Sequence, residues 1–293
     1  MRWRGRERSE NVRDHRGKVP KAALGGGGGL LVIVVMLIVK MMGGGQQAQN
    51  LAGGLARQVQ QQQQAQVEPG DGDGIQDDNR EFIEVVLNDT EEVWSKLFQE
   101  NGLGVYQPPV LNIFSGGINT ACGMGQAAMG PFYCPADREV YIDPTFFDDL
   151  AQRHNAPGDF AQAYVIAHEV AHHIQNLRGW NQPVQQARRS GDEFEANRMS
   201  VRLELQADYL AGVWAHHAHK EYGILERGDM EEAIQAANQI GDDTLQRQAT
   251  GTVIPERFTH GSSEQRVRWF TEGLKSGSVD DARLLFQIAF GRL

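Results

Sequence analysis

Apolar residues recur at helical spacing through most of the chain beyond residue 80. The stretch 81–99 carries them at intervals of three or four, which predicts one long helix. Two short runs rich in apolar and β-branched residues, 110–114 and 139–143, are typical of strands. From Phe160 onward nearly every segment returns to helical spacing. The pattern therefore predicts an α+β domain at 81–293, with a small β-sheet ahead of a mainly helical body.

The N-terminal part departs from this pattern, because a basic segment precedes an uncharged one. Residues 1–21 contain eight Arg or Lys and three acids, and the 18 residues 22–39 carry no charge. A helix of that length spans roughly 27 Å, close to the hydrocarbon thickness of about 30 Å. With the two methionines after Lys40 added, the run predicts one transmembrane helix at 22–42. A cleaved signal peptide is the alternative, and five consecutive glycines weaken the first half of the span.

The charge asymmetry also predicts an orientation. Positively charged flanks of a membrane helix stay in the cytoplasm. We therefore expect residues 1–21 to form a basic cytoplasmic segment and residues 81–293 to lie outside the cytoplasm, in the periplasm. The expected protein is single-pass, and it contacts the cytoplasmic (inner) membrane through residues 22–42.

Residues 43–80 lack apolar periodicity. Ten glutamines fall between residues 46 and 66, and a Gly- and Asp-rich stretch follows them. Such a segment buries too little surface to offset its ordering entropy, so we expect a flexible Gln/Gly-rich linker. A glutamine-rich helix is the alternative. The acidic stretch lacks the closing glutamate of a calcium-binding loop, because Phe82 stands at the twelfth position from Asp71.

Composition and net charge argue against two classes of protein, general nucleic-acid-binding proteins and multi-pass transporters. Hydrophobic residues make up 40% of the chain and charged residues 23%, which is ordinary for a folded protein. The net charge of −10 argues against a general nucleic-acid-binding protein, so we expect no nucleic-acid partner. A single long apolar run excludes a multi-pass transporter.

The two cysteines exclude a Cys-rich zinc or disulfide framework. Cys122 and Cys134 bracket a loop of Gly, Ala and Met. If the domain is exported they are able to form a disulfide, which would fix the glycine-rich stretch. Two buried free thiols are the alternative.

The segment His168-Glu169-Val-Ala-His172 carries the strongest chemical signal. It lies within a stretch that reads as one helix from Phe160 to Leu177, so the two histidines project from one face, one turn apart. That spacing lets two imidazole nitrogens bind one metal ion at about 2.0–2.1 Å. Glu169 is rotated about 100° from the first histidine, close to the metal but off the ligand row. A pair of core histidines is the alternative.

A catalytic zinc site needs a third protein ligand. The helix predicted over 192–220 contains Glu204 and Asp208, four residues apart on one face and flanked by small residues that let two helices approach closely. We predict that Glu204 binds the metal and that Asp208 accepts the free N–H of a ligand histidine. A solvated acidic face is the alternative.

Two further residues are candidates for stabilising charge in the transition state. Tyr209 follows the predicted acceptor, and His260 lies in Thr-His-Gly-Ser-Ser, just before a helix predicted from Ser263. Helix capping explains the serines but not His260.

These motifs resemble those of the bacterial neutral zinc metallopeptidases, a family of membrane-anchored proteins of the zincin type. The resemblance covers most of the chain and is carried by Met1-Arg-Trp3, Gly116–Gly123, Pro131–Pro135, Tyr141–Asp143, His168–Gln175, Glu204–Asp208 and Thr259–Ser263. It implies a zincin-like peptidase domain that holds one Zn²⁺ per chain through His168, His172 and Glu204 and cleaves a peptide or protein substrate.

Two functions remain open from the residues. The first is a membrane-anchored zinc peptidase in which Glu169 acts as the general base. The second is a zinc-binding scaffold or chaperone-like module without turnover. The presence of Glu169 favours the enzyme, because metal binding alone needs no general base. A metal-dependent amidase acting on cell-wall peptides is a third, weaker alternative.

Overall fold

The computed structural model describes residues 1–16 and 77–293. The chain divides into two compact units, and the larger one includes residues 1–14 together with 77–293. The predicted transmembrane helix at 22–42 lies outside the described residues, as does nearly all of the predicted linker. Within the two described ranges, no helix combines the length and the apolar character that a membrane crossing requires.

The described residues confirm the predicted helical body and place the strands ahead of it. In chain order the elements are β1 (Val12–Asp14), α1 (Asp78–Glu100), β2 (Val110–Ile113), β3 (Gly117–Thr120), β4 (Gly123–Gln126), β5 (Phe132–Cys134), β6 (Glu139–Ile142), α2 (Thr145–Gln152), α3 (Asp159–Arg178), α4 (Gln182–Ser190), α5 (Glu193–Tyr222), α6 (Asp229–Gln239), α7 (Asp242–Thr250) and α8 (Ser263–Ser276). Short 3₁₀ turns occupy Ala127–Met129, Pro255–Arg257, Asp280–Phe286 and Phe290–Arg292.

The four-stranded sheet has the order β1-β2-β6-β5. Strand β2 pairs in parallel with both β1 and β6, and β5 runs antiparallel to β6 at the other edge. Strands β3 and β4 form a separate antiparallel hairpin. The α+β class with a small sheet, predicted from the sequence, is confirmed.

Helix α3 lies at the centre of the helical body and packs against α1, α5 and α6. Helix α8 packs very closely on α5, because each presents a glycine where the other's backbone passes. A Cβ on Gly273 would lie 1.9 Å from the carbonyl oxygen of Tyr209, and one on Gly212 would lie 2.1 Å from that of Phe270. The two glycines therefore bring the side chains of α8 within reach of the residues on α5.

Residues 1–14 form part of the folded unit, which the sequence analysis did not predict. Val12 is in register with Leu111 in the parallel pair β1–β2. The ring of Trp3 is buried edge-on against Phe82 of α1, with the ring centroids 5.3 Å apart. The α-amino group of Met1 lies 2.8 Å and 3.1 Å from carboxylate oxygens of two acidic residues, Asp159 and Asp229.

The predicted separation of a basic segment 1–21 from a domain 81–293 is therefore wrong for residues 1–14. Residues 1–14 belong to the same folded unit as the helical body, with strand β1 paired to strand β2. The arginines that resemble a membrane flank instead pair with acids of the domain, at Arg6–Asp89, Arg8–Glu81 and Arg13–Glu139. The linker boundary is also corrected, because α1 begins at Asp78.

We expect Arg6→Ala to destabilise the protein more strongly as the pH rises. Burial raises the pKa of Asp89 to about 6, and the Arg6 guanidinium, 2.5 Å away, opposes this shift. Without Arg6 the pKa of Asp89 rises further. Above pH 6 the folded protein then has to bury an unpaired carboxylate or keep a proton that the unfolded chain releases, and either requirement lowers the free energy of unfolding. Urea unfolding at pH 5.5 and pH 8 should show a larger difference from wild type at pH 8. Arg4→Ala removes an exposed pair with Asp78 and serves as the control.

Residues 1–14 and the helical body should face the same compartment. We expect Glu7→Cys and Glu264→Cys, both at exposed positions, to react with a membrane-impermeant maleimide to the same extent in sealed spheroplasts carrying the full chain. The natural cysteines are joined in a disulfide and do not compete. Permeabilised cells give the maximal signal for each variant. Labelling of one position with protection of the other would contradict the placement of β1.

Candidate metal centre

The apolar side chains of helix α3 are buried in the core, and its two histidines lie on the face that is turned to α5. Ala163, Ile166, Val170 and Ile174 are all fully buried in the core. The helix ends at Gly179, which adopts the left-handed conformation that favours glycine, with φ of 68°. One turn apart on the remaining face, the imidazole rings of His168 and His172 lie 4.8 Å apart and nearly perpendicular.

Glu204 on α5 completes a three-residue group with these histidines. Its Oε2 atom lies 3.2 Å from Nε2 of His168 and 3.4 Å from Nε2 of His172. Ligands about 2.0–2.1 Å from a tetrahedral zinc ion are separated by about 3.4 Å. The observed spacing fits such an ion, and the set of two imidazole nitrogens and one carboxylate oxygen is a catalytic zinc donor set.

The hydrogen bonds behind the histidines leave the correct nitrogens free for a metal. Nδ1–H of His168 donates to Asp208 at 2.8 Å. Nδ1–H of His172 donates to Oε1 of Gln175 at 2.8 Å, and the amide of Gln175 is fixed by donating to the carbonyl oxygen of Leu203. Both Nε2 atoms therefore face Glu204 with their lone pairs available.

Asp208 is completely buried, and three groups satisfy its charge. Arg266 on α8 donates from Nε to Oδ2 and from Nη2 to Oδ1, each at 2.9 Å. The hydroxyl of Tyr164 donates to Oδ1 at 2.6 Å. Burial alone would raise the pKa of Asp208, but Arg266 and His168 outweigh it and lower the pKa to about 2. Asp208 is thus an ionised acceptor at any working pH.

The pKa values of the two glutamates, Glu204 and Glu169, are shifted in opposite directions. Burial would raise the pKa of Glu204, but the two histidines outweigh it and hold that pKa well below its usual value. At Glu169 burial outweighs the charges of the same two histidines and raises the pKa above its usual value. Glu204 therefore has the character of an anionic ligand, and Glu169 that of a base able to accept a proton.

A cleft of about 630 Å³ is lined by His168, His172 and Glu204. Glu169, His260 and the segment 127–133 all line it. Cys122 and Cys134 flank this segment and are joined by a disulfide, with Cys134 fully buried at the end of β5. The disulfide ties the wall of the cleft to the edge of the sheet.

The structure brings most of the predicted site residues together but removes one. The hydroxyl of Tyr209 donates to the carbonyl oxygen of Ser278 at 2.9 Å and lies close to Ser276, so this residue packs against the C-terminal segment. It does not line the cleft, and its predicted role in stabilising the transition state is wrong. His260 does line the cleft, on the side formed by α7 and the loop before α8.

His173, next to the second ligand, has a structural role. Its Nε2–H donates to the carbonyl oxygen of Gln107 at 2.7 Å, and its Nδ1 accepts from the hydroxyl of Tyr133 at 3.1 Å. Burial lowers its pKa to about 4, so the ring is neutral and joins α3 to β5.

Sequence reasoning missed four residues that support the site: Tyr164, Gln175, Asp242 and Arg266. Spacing offered a signal for two of them, since Tyr164 and Gln175 lie four residues before and three residues after the ligand histidines on the same helix. Arg266 and Asp242 come from other elements, and no local pattern connects them to the motif.

Two histidines and a glutamate from two packed helices, with buried partners behind the histidines, form a candidate metal centre with the donor set of catalytic zinc sites. The family described as "Putative neutral zinc metallopeptidase" matches residues 1–283. "Uncharacterized protein YpfJ" of Escherichia coli (strain K12) is 45% identical over 282 residues, which cover 94% of this chain and 96% of that protein. "Uncharacterized protein Rv2575" of Mycobacterium tuberculosis (strain ATCC 25618 / H37Rv) is 41% identical over 200 residues, 65% of each chain. No solved structure gives a significant match. The chain belongs to this neutral zinc metallopeptidase family.

Glu204→Gln should lower the affinity of the protein for zinc. The substitution replaces an anionic oxygen with a neutral amide and leaves two imidazoles facing an uncharged partner. We expect one zinc ion per wild-type chain by elemental analysis, and weaker binding by the variant in competition with a chromogenic chelator. Glu195→Gln, a partly exposed position on the same helix, is the matched control and should bind zinc as wild type does. Equal affinity in all three proteins would show that the third ligand lies elsewhere.

Proposed function

We propose that this protein is a zinc-dependent peptidase that hydrolyses peptide bonds in the cleft above His168, His172 and Glu204. The observation that carries the proposal is the separation of roles among the acids around one metal centre. Glu204 faces both histidines as an anion, whereas Glu169 faces the cleft and forms no ion pair with an arginine or lysine among residues 1–16 and 77–293. Metal binding uses the first glutamate and leaves the second free for proton transfer.

Each residue has a defined task in this mechanism. His168, His172 and Glu204 would hold the zinc ion, which when bound supplies Lewis acidity for water and for the peptide carbonyl group. Glu169 accepts the proton of the attacking water and delivers it to the leaving amine. His260, which also lines the cleft, stabilises the negative charge that develops on the carbonyl oxygen.

The proposed substrate is a peptide or protein, and the proposed compartment lies outside the cytoplasm. The disulfide between Cys122 and Cys134 supports an oxidising environment, since structural disulfides persist there and are rare in the cytosol. Contact with the inner membrane through residues 22–42 remains a proposal based on their uncharged run. Because residues 1–14 belong to the domain, they share its compartment in this proposal.

Glu169→Gln should retain zinc and lose hydrolysis. The amide keeps the shape of the side chain but cannot accept a proton, so we expect kcat/KM to fall by roughly 10²- to 10⁴-fold. The measurement is cleavage of a broad fluorogenic peptide library by the full chain, with zinc content determined on the same samples. Glu231→Gln, at an exposed position on α6, is the control and should leave the rate unchanged.

Two outcomes would overturn the proposal. Equal activity of wild type and Glu169→Gln would show that the base is wrongly assigned. Zinc bound by both proteins with no cleavage by either would favour a non-catalytic zinc-binding scaffold.

A further inference from the structure

Asp242, the first residue of α7, organises the loop that carries His260. Its Oδ2 atom accepts hydrogen bonds from three consecutive backbone N–H groups, those of Thr259, His260 and Gly261, at 2.6, 2.7 and 3.2 Å. The N–H of Asp242 in turn donates to the carbonyl oxygen of Gly261 at 2.9 Å. The loop is therefore fixed to the start of a helix rather than left to solvent.

The same loop also packs against the helix that supplies the third metal ligand. Gly261 has φ of 99°, which favours glycine, and the position of its absent Cβ lies 3.0 Å from the side chain of Leu205. Leu205 is the residue after Glu204. The contact sets the distance between the His260 loop and the metal centre.

The second carboxylate oxygen of Asp242 orients the imidazole itself. Oδ1 lies 3.2 Å from Nδ1 of His260, and the hydroxyl of Thr259 lies 3.1 Å from the same nitrogen. Nε2 is on the opposite side of the ring and has no hydrogen bond to any residue in the described ranges. The carboxylate of Asp242 is 11% exposed and the imidazole is 50% exposed, so the buried acid holds a ring that reaches into the cleft.

We propose that Asp242 is a positioning residue that keeps Nε2 of His260 directed at the carbonyl oxygen of the peptide being cleaved. With Nδ1–H bound to Asp242, Nε2 donates a hydrogen bond only when the ring carries both protons. The negative charge of Asp242 favours that form, and its hydrogen bond raises the pKa of His260. The contact with substrate rests on the proposed peptidase function, whereas the orientation of the ring does not.

The test compares Asp242→Asn with a matched control. Asparagine keeps the size of the side chain and an oxygen for the loop N–H groups but removes the charge. Asp243 is the control, because its Oδ1 accepts from the N–H and hydroxyl of Ser263 and has the same kind of loop-fixing role without a hydrogen bond to His260. Thermal unfolding and zinc content of Asp242→Asn and Asp243→Asn establish that both variants fold and bind metal.

The first readout is independent of catalysis. In the zinc-free full chain, ¹⁵N NMR of the histidine side chains reports which ring nitrogens carry protons, and His260→Gln identifies the His260 signals by their loss. We expect a protonated, hydrogen-bonded Nδ1 in wild type and in Asp243→Asn, and a smaller doubly protonated fraction in Asp242→Asn at the same pH. Unchanged His260 signals in Asp242→Asn would overturn the proposal.

The second readout is kinetic. We expect Asp242→Asn to lower kcat roughly 10- to 100-fold, as for other partners that orient a functional side chain, with little change in KM. The double variant Asp242→Asn/His260→Gln should be no slower than His260→Gln alone, because the acid acts through the ring. Additive losses would overturn the proposal. If wild type cleaves no peptide, the peptidase function fails while the NMR result still decides the role of Asp242.

Discussion

The paired hydrogen bonds between Arg266 and Asp208 are the interaction on which the metal centre depends. Asp208 must be ionised to accept Nδ1–H of His168, yet it is completely buried, and an unpaired buried carboxylate would be protonated or would destabilise the fold. Arg266 removes that cost by donating to both carboxylate oxygens, and Oδ1 also accepts Nδ1–H of His168. The network also connects three helices, since α3 supplies His168 and Tyr164, α5 supplies Asp208 and α8 supplies Arg266.

This charge pair explains why the helix packing is so close. Arg266 reaches Asp208 only because α8 lies directly on α5, and that approach requires the reciprocal glycines Gly212 and Gly273. From the sequence alone, each glycine would be expected to destabilise its helix. In the folded protein each removes a side chain that would otherwise separate the guanidinium from the carboxylate. Packing and chemistry are thus set by the same two positions.

Spacing along a helix predicted the two residue pairs at the centre of the site. Spacing of four residues identifies His168 with His172 and Glu204 with Asp208, because periodicity fixes which side chains share a face. Periodicity does not show which helices pack together, so no sequence pattern connected Arg266 and Asp242 to the metal centre. Tyr209 failed for the converse reason, since it neighbours Asp208 in sequence but lies about 100° round the helix, where its hydroxyl donates to Ser278 instead of reaching the cleft.

The pairing of the N-terminal segment with the rest of the domain could not be predicted from local sequence pattern either. A strand of three residues carries too little pattern to be recognised, and its flanking arginines have the composition of a membrane flank. Their partners, among them Asp89, are acids on elements far along the chain, so composition alone could not reveal the pairing. Cleavage after the apolar run at 22–39 would remove β1 and leave an edge of β2 unpaired and Asp89 without Arg6. The apolar run is therefore an insertion within the sequence of one domain, between β1 and α1, and the domain needs the residues on both sides of it.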